Sequence, residues 1–260
     1  MRFDSRLSTV QNVRVSNVFY APGEQRAAKV GDLFTAIARR YDLLNDLQSL
    51  GLHRLWKRRV VRLAAAHASD RALDLCCGTG DIACALARNG AETIGLDFSE
   101  KMLEVAKTRK DQQNSPPAIS HLPSPNFIQG DAQAIPFPDG SFDIVTVAYG
   151  LRNLASWERG LDEMVRVARS GARLIVLDFG KPPNALWRNL YFTHLKCSVP
   201  LMGWLFCRNA QAYAYILESL KHYPAQEAVA DKMRALKLSN VRVINLLGGA
   251  MAINYGEKTE

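Results

Sequence analysis

The residues best suited to bind a ligand form an acidic, glycine-rich turn, Asp74-Leu-Cys-Cys-Gly-Thr-Gly-Asp81. A short apolar run precedes this turn and an amphipathic stretch follows it, as expected where a strand passes into a helix. Glycine has no side chain, so it lets backbone amides approach a ligand closely. The predicted ligand contacts in the turn are Asp74, Gly78 and Gly80.

The spacing of this turn leaves two classes of nucleoside cofactor open. Gly78-x-Gly80-x-x-Ala83 matches the G-x-G-x-x-G/A fingerprint of dinucleotide sites, whose pyrophosphate lies at the positive end of the following helix. A carboxylate about 6 Å from a phosphate charge costs roughly 3 kcal/mol, and Asp74 and Asp81 flank the turn. S-adenosylmethionine has an ammonium, a sulfonium and no phosphate. The charge pattern therefore favours S-adenosylmethionine and argues against a nicotinamide-dependent reductase.

Further acids follow at the ends of later apolar runs. Asp97 comes 19 residues after Gly78, where a carboxylate accepts hydrogen bonds from ribose hydroxyls. Asp131 ends the next run, where an acid could bind an adenine amino group. Each acid alone would also fit a helix cap or a solvated turn, but three at consecutive strand ends indicate a nucleoside site. The predicted contacts at these later strand ends are Asp97, Phe98 and Asp131.

Short apolar strands alternate with amphipathic helices through the middle of the chain. This rhythm predicts βαβ units and a parallel sheet. The prediction is an α/β, Rossmann-like class I fold with a mostly parallel seven-stranded sheet, helices on both faces and an antiparallel C-terminal hairpin strand. The predicted strands are Ala72–Cys76, Thr93–Leu96, Asn126–Gln129, Phe142–Ala148, Arg173–Phe179, Val241–Leu246 and Ala250–Tyr255.

The chain divides into an arm and one domain. Residues 1–25 are polar and without clear period, which predicts a poorly ordered N-terminal arm. Residues 26–260 are predicted to form one S-adenosylmethionine-dependent methyltransferase domain. Within it, residues 26–67 are predicted as a helical lid. Residues 182–224, which are rich in large apolar side chains and interrupted by Pro200 and Gly203, are predicted as a helical substrate insertion.

Charge and cysteine usage narrow the class of protein. The net charge is +8, and residues 26–63 hold nine Lys and Arg against three Asp and Glu. This patch would suit nucleic acid, an anionic membrane or an acidic ligand, or it forms a solvated helix face. The five cysteines include no C-x-x-C pair, so we expect neither a structural metal nor a disulfide framework. Without a secretory signal or a membrane-spanning run, the expected location is the cytoplasm.

Several longer motifs go beyond the fold. Over about Val30 to Lys258 the chain resembles the C-methyltransferases of ubiquinone and menaquinone biosynthesis. The Tyr41–Asp46 and Tyr149–Asn153 elements are much more specific to that family than the cofactor turn is. The motifs that carry the resemblance are Tyr41-Asp-Leu-Leu-Asn-Asp46, Ser49-Leu-Gly-Leu-His-Arg-Leu-Trp-Lys57, Leu73-Asp-Leu-Cys-Cys-Gly-Thr-Gly-Asp81, Ala134-Ile-Pro-Phe137, Tyr149-Gly-Leu-Arg-Asn153 and Gly248-Gly-Ala-Met-Ala-Ile253.

The resemblance implies S-adenosylmethionine as cofactor and a prenylated quinol that is methylated on a ring carbon. It also implies a cytoplasmic enzyme with transient contact to the inner face of the membrane. The cofactor turn and the Gly-Gly-Ala-Met ending look more like the demethylmenaquinone branch, so demethylmenaquinol is the first choice and a benzoquinol of ubiquinone synthesis the alternative. By position, the resemblance implies cofactor contacts at Thr79, Asp97, Asp131, Ala132 and Ala148. At Ala148 the family often has Ser, so a side-chain hydrogen bond is lost there, and at Asp131 it often has Asn.

The chemistry requires the deprotonated ring hydroxyl to activate the neighbouring carbon, which then attacks the sulfonium methyl. Arg152 is the first choice for stabilising the oxyanion, with Asn153 and Tyr149 beside it. His53, Tyr41 and Asp42 are second choices for the base or for positioning. The structural alternatives are a salt bridge for Arg152 and a helix-surface group for His53.

The polyprenyl tail needs an apolar channel. Its predicted wall is Trp187, Leu190, Tyr191, Leu195, Leu201, Met202, Trp204, Leu205 and Phe206, which would also suit an ordinary core. A nucleic-acid methyltransferase would explain the basic charge, but the D/N-P-P-Y/F run typical of amine methylation is missing after the fourth strand, so we expect no nucleic acid. A non-catalytic S-adenosylmethionine-binding module is a further alternative. The oligomeric state stays open, with a homodimer as one alternative.

Overall fold

The structure is a computed structural model that describes residues 38, 41–113, 123–207, 219–220 and 223–259. Of residues 199–207 it describes the backbone alone. The predicted arm at residues 1–25 and residues 26–37, 39 and 40 of the predicted lid lie outside the described residues. So do residues 208–218, 221 and 222 of the predicted insertion and the side chains of its predicted channel wall beyond residue 198.

The described residues form one seven-stranded sheet in the order β3-β2-β1-β4-β5-β7-β6. Strands β1 to β5 are parallel to their neighbours, whereas β7 is antiparallel to both β5 and β6. The predicted fold class is confirmed, including the C-terminal hairpin. The strands are β1 (Arg71–Leu75), β2 (Glu92–Asp97), β3 (Asn126–Gln129), β4 (Phe142–Ala148), β5 (Ala168–Phe179), β6 (Leu238–Leu246) and β7 (Met251–Lys258).

Helices cover both faces of this sheet, and two single 3₁₀ turns, Leu151–Asn153 and Leu247–Gly249, follow β4 and β6. Helices α1 and α2 belong to the predicted lid, and α6 to the predicted insertion. The described helices are α1 (Tyr41–Ser49), α2 (Leu52–Ala64), α3 (Asp81–Arg88), α4 (Glu100–Gln113), α5 (Trp157–Val167), α6 (Ala185–Cys207) and α7 (Ala225–Ala235).

Local sequence signals account for most of these bounds. Ser156 caps α5, since its side chain accepts a hydrogen bond from the backbone of Arg159. Strand β5 begins at Ala168, five residues earlier than predicted, because Ala168 pairs with Phe142 across an irregularity in β4. Helix α6 continues past Pro200, although the sequence predicts an interruption there. A proline removes one intrahelical hydrogen bond without preventing the helix from continuing.

Alternate residues of the central strands bury opposite faces. On one face, Leu73 and Val145 pack with helices α5 and α7. On the other face, Ala72 and Ile144 pack with helices α2 and α3. Because neighbouring residues of a strand point to opposite sides, the near-continuous apolar runs of the sequence are those of a sheet buried on both faces. This layering leaves the carboxyl ends of the parallel strands as the edge at which polar residues gather.

Candidate functional site

A cavity is lined mainly by residues at or just after the carboxyl ends of β1, β2, β3 and β4. The chain leaves β1 towards β2 and β3 on one side and returns to β4 on the other. Ligands of open α/β sheets bind in the crevice at such a switch point.

The cavity brings most of the predicted site residues together. The predicted residues that line it are Tyr41, Gly78, Asp97, Phe98, Asp131, Ala132, Ala148, Tyr149 and Asn153. The predicted residues that are not part of this lining are Asp74, Thr79, Gly80, His53 and Arg152.

The two glycines of the turn have different roles. Both adopt left-handed conformations, with φ of 54° at Gly78 and 81° at Gly80. A Cβ at Gly78 would meet nothing within 4 Å, so this position is open towards a ligand. A Cβ at Gly80 would come within 2.7 Å of the Phe127 ring. Gly80 therefore lets the start of α3 pack on β3.

Asp74 supports the turn from behind. Its side chain is 2% exposed, and its carboxylate accepts hydrogen bonds from Thr146 Oγ1 at 2.7 Å and from the Ala83 amide at 3.1 Å. Burial raises the pKa of Asp74 to about 7, against the lowering effect of the Thr146 hydrogen bond. Because β1 turns this side chain into the protein, Asp74 ties β1 to β4 and to α3. Its carboxylate is not part of the cavity lining.

We expect Asp74 to make the folded protein less stable as pH rises from about 4 to about 7. Its pKa in the folded state lies above the unfolded value near 3.9, so the unfolded chain releases its proton first and is favoured across that window. Urea unfolding of the wild type and of Asp74→Asn at about pH 4, 5.5 and 7 measures this effect. The variant should lose less stability between the lowest and highest pH, with exposed Asp139→Asn as a control. Parallel pH profiles in the wild type and Asp74→Asn would contradict it.

A charged cluster that the sequence analysis missed surrounds Asp81. Lys57 Nζ donates to Asp81 at 2.8 Å, and Arg109 forms ion pairs with both Asp81 and Asp42. Burial would raise the pKa of Asp81, but Lys57 and Arg109 together hold it below its usual value. The two acids and two bases of this cluster compensate one another. Asp81 therefore does not act on a ligand as the uncompensated carboxylate assumed from the sequence.

This cluster ties the lid to the cofactor turn. Thr79 Oγ1 donates to Asp42 of α1 at 3.1 Å and accepts from Arg109 of α4 at 3.2 Å. Thr79, predicted as a cofactor contact, is thus engaged with the lid. The partners Asp42 and Arg109 are 67 residues apart in the chain, so no local spacing could indicate their pairing. The cluster places Tyr41 of α1 on the cavity wall.

Asp97 and Asp131 are the carboxylates that the cavity wall presents. Asp97 accepts the Gly78 amide at 2.8 Å and the Ser99 amide at 2.9 Å, which fixes its side chain at the end of β2. Burial raises the pKa of Asp97, while these backbone donors oppose the rise. Each carboxylate oxygen accepts more than one hydrogen bond, so Asp97 fits the ribose hydroxyls of an adenosine. Asp131 is exposed, and with Ala132 it fits the adenine.

Arg152 lies in a buried ion pair beside the cavity. It is 7% exposed, and its Nη1 donates to Asp178 at 2.8 Å. Its guanidinium also lies 4.6 Å from the centre of the Phe179 ring, which is a favourable cation–π distance. Arg152 therefore forms the salt bridge that the sequence analysis gave as the alternative to a role in stabilising an oxyanion.

Arg152 and Asn153 both hold the backbone of Tyr149. Arg152 Nη1 donates to the Tyr149 carbonyl at 2.7 Å, and Asn153 Nδ2 donates to it at 3.0 Å. Tyr149 has a φ of 61°, a left-handed conformation that costs a non-glycine residue roughly 1–2 kcal/mol. Its amide donates to Leu177 at 2.7 Å. The motif Tyr149–Asn153 thus folds back on its first residue and presents Tyr149 at the cavity.

His53 lies away from the cavity wall and joins the two lid helices. It is 3% exposed, and its Nε2 is 2.8 Å from Asp46 Oδ1. Burial lowers the pKa of His53, and Asp46 opposes that effect. His53 is therefore a buried interhelical contact in this structure. The surface alternative considered from the sequence is wrong, because helix packing covers the imidazole.

The cavity also has wall residues that the sequence analysis did not select. Most of them are next to predicted site residues, so their position at the end of a strand is the sequence signal that could have identified them. Gly130 and Gly150 give close packing, since a Cβ would come within 3.0 Å of Leu96 Cδ1 and 2.4 Å of Cys76 Cβ, respectively. The additional wall residues are Cys76, Leu96, Ser99, Met102, Gly130, Gln133, Gly150 and Leu154.

Similar solved structures are S-adenosylmethionine-dependent methyltransferases. One from Thermotoga maritima aligns with a TM-score of 0.60 and 20% identity, covering 88% of this chain and 99% of that one. Another from Methanococcus maripaludis aligns with a TM-score of 0.57 and 18% identity, covering 86% of this chain and 92% of the other. At these identities the likeness establishes the fold.

Sequence relatives identify the family. The "Ubiquinone/menaquinone biosynthesis C-methyltransferase UbiE" of Azotobacter vinelandii is 37% identical over 91% of this chain and 92% of its own length. The protein of the same description from Francisella tularensis is 34% identical over 91% of this chain and 94% of its own length. The cofactor is S-adenosylmethionine, which the methyltransferase relatives and the cavity support together. Since the model of the ubiE/COQ5 methyltransferase family matches residues 23–258, the chain belongs to that family.

Proposed function

We propose that this protein methylates a ring carbon of a prenylated quinol, with demethylmenaquinol as substrate and menaquinol as product. The observation that carries the proposal is that one cavity is lined by two kinds of residue. Asp97 and Asp131 suit the cofactor, while Tyr149 and Asn153 line the same cavity and suit a hydroxylated acceptor. The names of the relatives, which specify carbon methylation in ubiquinone and menaquinone biosynthesis, support this chemistry.

The residues of the chain contribute mainly orientation. S-adenosylmethionine, when bound, supplies the methyl group. Holding two reactants in line can contribute roughly 7–11 kcal/mol to the barrier reduction. Tyr41 of the lid and Tyr149 of the motif after β4 line the cavity on the side of the acceptor. Closure of the lid through Asp42 and Arg109 would also exclude water from the ring hydroxyl.

The choice of a naphthoquinol rests on the cofactor turn and on the Gly248-Gly-Ala-Met ending, with a benzoquinol as the alternative. The ending also has a structural role, because a Cβ at Gly248 would come within 2.8 Å of Trp187 Nε1. Trp187 Nε1 donates to the Leu247 carbonyl at 3.0 Å. The ending therefore anchors the start of α6, on which Leu186 and Leu190 are exposed. Burying one isoprene unit on such a surface contributes about 3–4 kcal/mol.

The decisive experiment is methyl transfer from labelled S-adenosylmethionine. Reduced demethylnaphthoquinol and a demethylated benzoquinol with the same prenyl tail are offered together, and mass spectrometry locates the label. We expect a carbon-bound methyl on the naphthoquinol. The oxidised forms of both compounds, offered as controls, should receive none. A methylated benzoquinol alone would select the alternative ring. Label found only on nucleic acid, or cofactor binding without any product, would refute the proposal.

The lid carries the surface on which we base membrane contact. Its arginines on α2, at 54, 58, 59 and 62, are all exposed and recur on one helical face. Leu43 and Leu47 on α1, and Leu50 just after this helix, are also exposed. No helix in the described part of the chain is long and apolar enough to cross a bilayer. Exposed leucines on one lid helix and exposed arginines on the next suit the interface of an anionic membrane.

Reversing three of these charges should release the protein from anionic vesicles. In Arg58→Glu/Arg59→Glu/Arg62→Glu, we expect binding to phosphatidylglycerol-containing vesicles at low salt to fall at least about 100-fold, because each arginine contributes about 1 kcal/mol. Vesicle co-sedimentation measures the affinity. Lys101→Glu/Lys107→Glu/Arg234→Glu has the same change in net charge on other exposed helices and should fall much less. Equal losses of vesicle binding in the two variants would mean that net charge alone explains the binding, and would contradict a specific role for the α2 arginines.

A further inference from the structure

The hydroxyl of Tyr149 is buried and has no hydrogen-bond partner among the residues that the structure describes. Buried hydroxyls are usually paired, because an unpaired one retains its desolvation cost. Tyr149 also lines the cavity. A donor in this position is expected where a ligand supplies the missing acceptor.

The backbone around Tyr149 is built to hold this side chain in place. Its left-handed φ of 61° would relax without the two donors on its carbonyl, Arg152 and Asn153. The ring packs edge-on against Phe179, with 6.2 Å between the centroids. Phe179 is also the ring over which Arg152 lies. The motif therefore uses a buried ion pair to orient a neutral tyrosine.

The surroundings keep the Tyr149 hydroxyl protonated. Burial raises its pKa well above the usual value. The titratable groups that face it are Tyr41 of α1, Asp178 of β5, Tyr191 of α6 and Arg152, of which Arg152 alone favours ionisation. Tyr149 is thus a hydrogen-bond donor over the working pH range and cannot serve as a general base.

We propose that Tyr149 donates a hydrogen bond through Oη to the ring oxygen beside the carbon that is methylated, and that Arg152 and Asn153 are positioning residues for Tyr149. The inference rests on the proposed function, because it requires a hydroxylated aromatic acceptor. A bond from a neutral hydroxyl to an oxyanion strengthens as the quinol ionises. Tyr149 would therefore lower the pKa of the bound quinol and favour the reactive form.

The test compares Tyr149→Phe with the matched control Tyr255→Phe. The first variant keeps the ring and removes the hydroxyl, and Tyr255 pairs with Glu257 on β7, apart from the cavity lining. Each protein is titrated with 1-naphthol and with 1-methylnaphthalene, which lacks the acceptor oxygen. We expect the wild type and Tyr255→Phe to prefer the naphthol about 10- to 100-fold, and Tyr149→Phe to lose this preference. An unchanged preference in Tyr149→Phe would overturn the inference.

The pH profile of kcat gives a second measurement, which should not change if Tyr149 has only a structural role. In Tyr149→Phe the acid limb should move to higher pH, because the bound quinol then ionises less readily. Cofactor affinity, measured by calorimetry, should stay at the wild-type value. Unchanged acid limbs would overturn the inference. If the wild type methylates no quinol yet binds naphthol through Tyr149, the proposed function fails while the hydrogen bond stands.

Discussion

Arg152→Met is expected to lower the free energy of unfolding by about 3–5 kcal/mol, the usual cost of leaving one partner of a buried ion pair uncompensated. Asp178, the partner, is 3% exposed, so water does not replace the lost guanidinium. The variant also loses the contact with the Phe179 ring and one of the two donors to the Tyr149 carbonyl. Urea unfolding with an unchanged m-value would measure the change.

Two further variants separate burial from charge in that result. Arg152→Met/Asp178→Asn should recover at least half of the loss, because no unpaired charge then remains buried. Arg54→Met removes an arginine that is 60% exposed in its pair with Asp46, and it should cost less than about 1 kcal/mol. A loss under about 1 kcal/mol in Arg152→Met itself would contradict the importance given to the pair with Asp178.

Gly80→Ala is expected to destabilise the protein by about 2–5 kcal/mol. The left-handed backbone costs an alanine roughly 1–2 kcal/mol, and the new methyl would lie 2.7 Å from Phe127 Cζ, an overpacking that costs about 1–3 kcal/mol. Thermal and urea unfolding would measure the combined effect. S-adenosylmethionine binding should weaken in parallel, because Gly80 ends the turn that shapes the cavity.

Gly140→Ala is the matched control for the steric part. Gly140 has a φ of 64°, and a Cβ there would meet nothing within 4 Å. Its replacement should therefore cost only the backbone term of about 1–2 kcal/mol. Equal losses at Gly80 and Gly140 would mean that Phe127 adjusts without cost.

The sheet could be predicted because its signals are local. Strands β3 and β4 have the bounds predicted for them, since turn residues and a change of hydrophobic period mark each end. The length of β5 could not be predicted, because its first residue is a strand residue only through pairing with Phe142.

Of the four acids considered for the cofactor site, the structure places two on the cavity wall. Asp97 and Asp131 line the cavity, whereas Asp74 is buried behind the turn and Asp81 is paired with Lys57 and Arg109. A sequence reports the charge of a side chain but not whether a distant cation compensates it. Arg109 is 28 residues from Asp81, which no local pattern connects.

The sequence by itself determined the alternation of strands and helices, the ends at which polar residues collect, and a motif set specific enough to indicate the family. These are properties of neighbouring residues, so spacing and period express them. Only the tertiary structure decided which side chains face the cavity. It turned Arg152 and His53 towards buried acids, joined the lid to the cofactor turn through Arg109, and left the Tyr149 hydroxyl without a partner among the described residues. The reason is physical, because ion pairing and desolvation depend on distances that arise only when remote segments pack together.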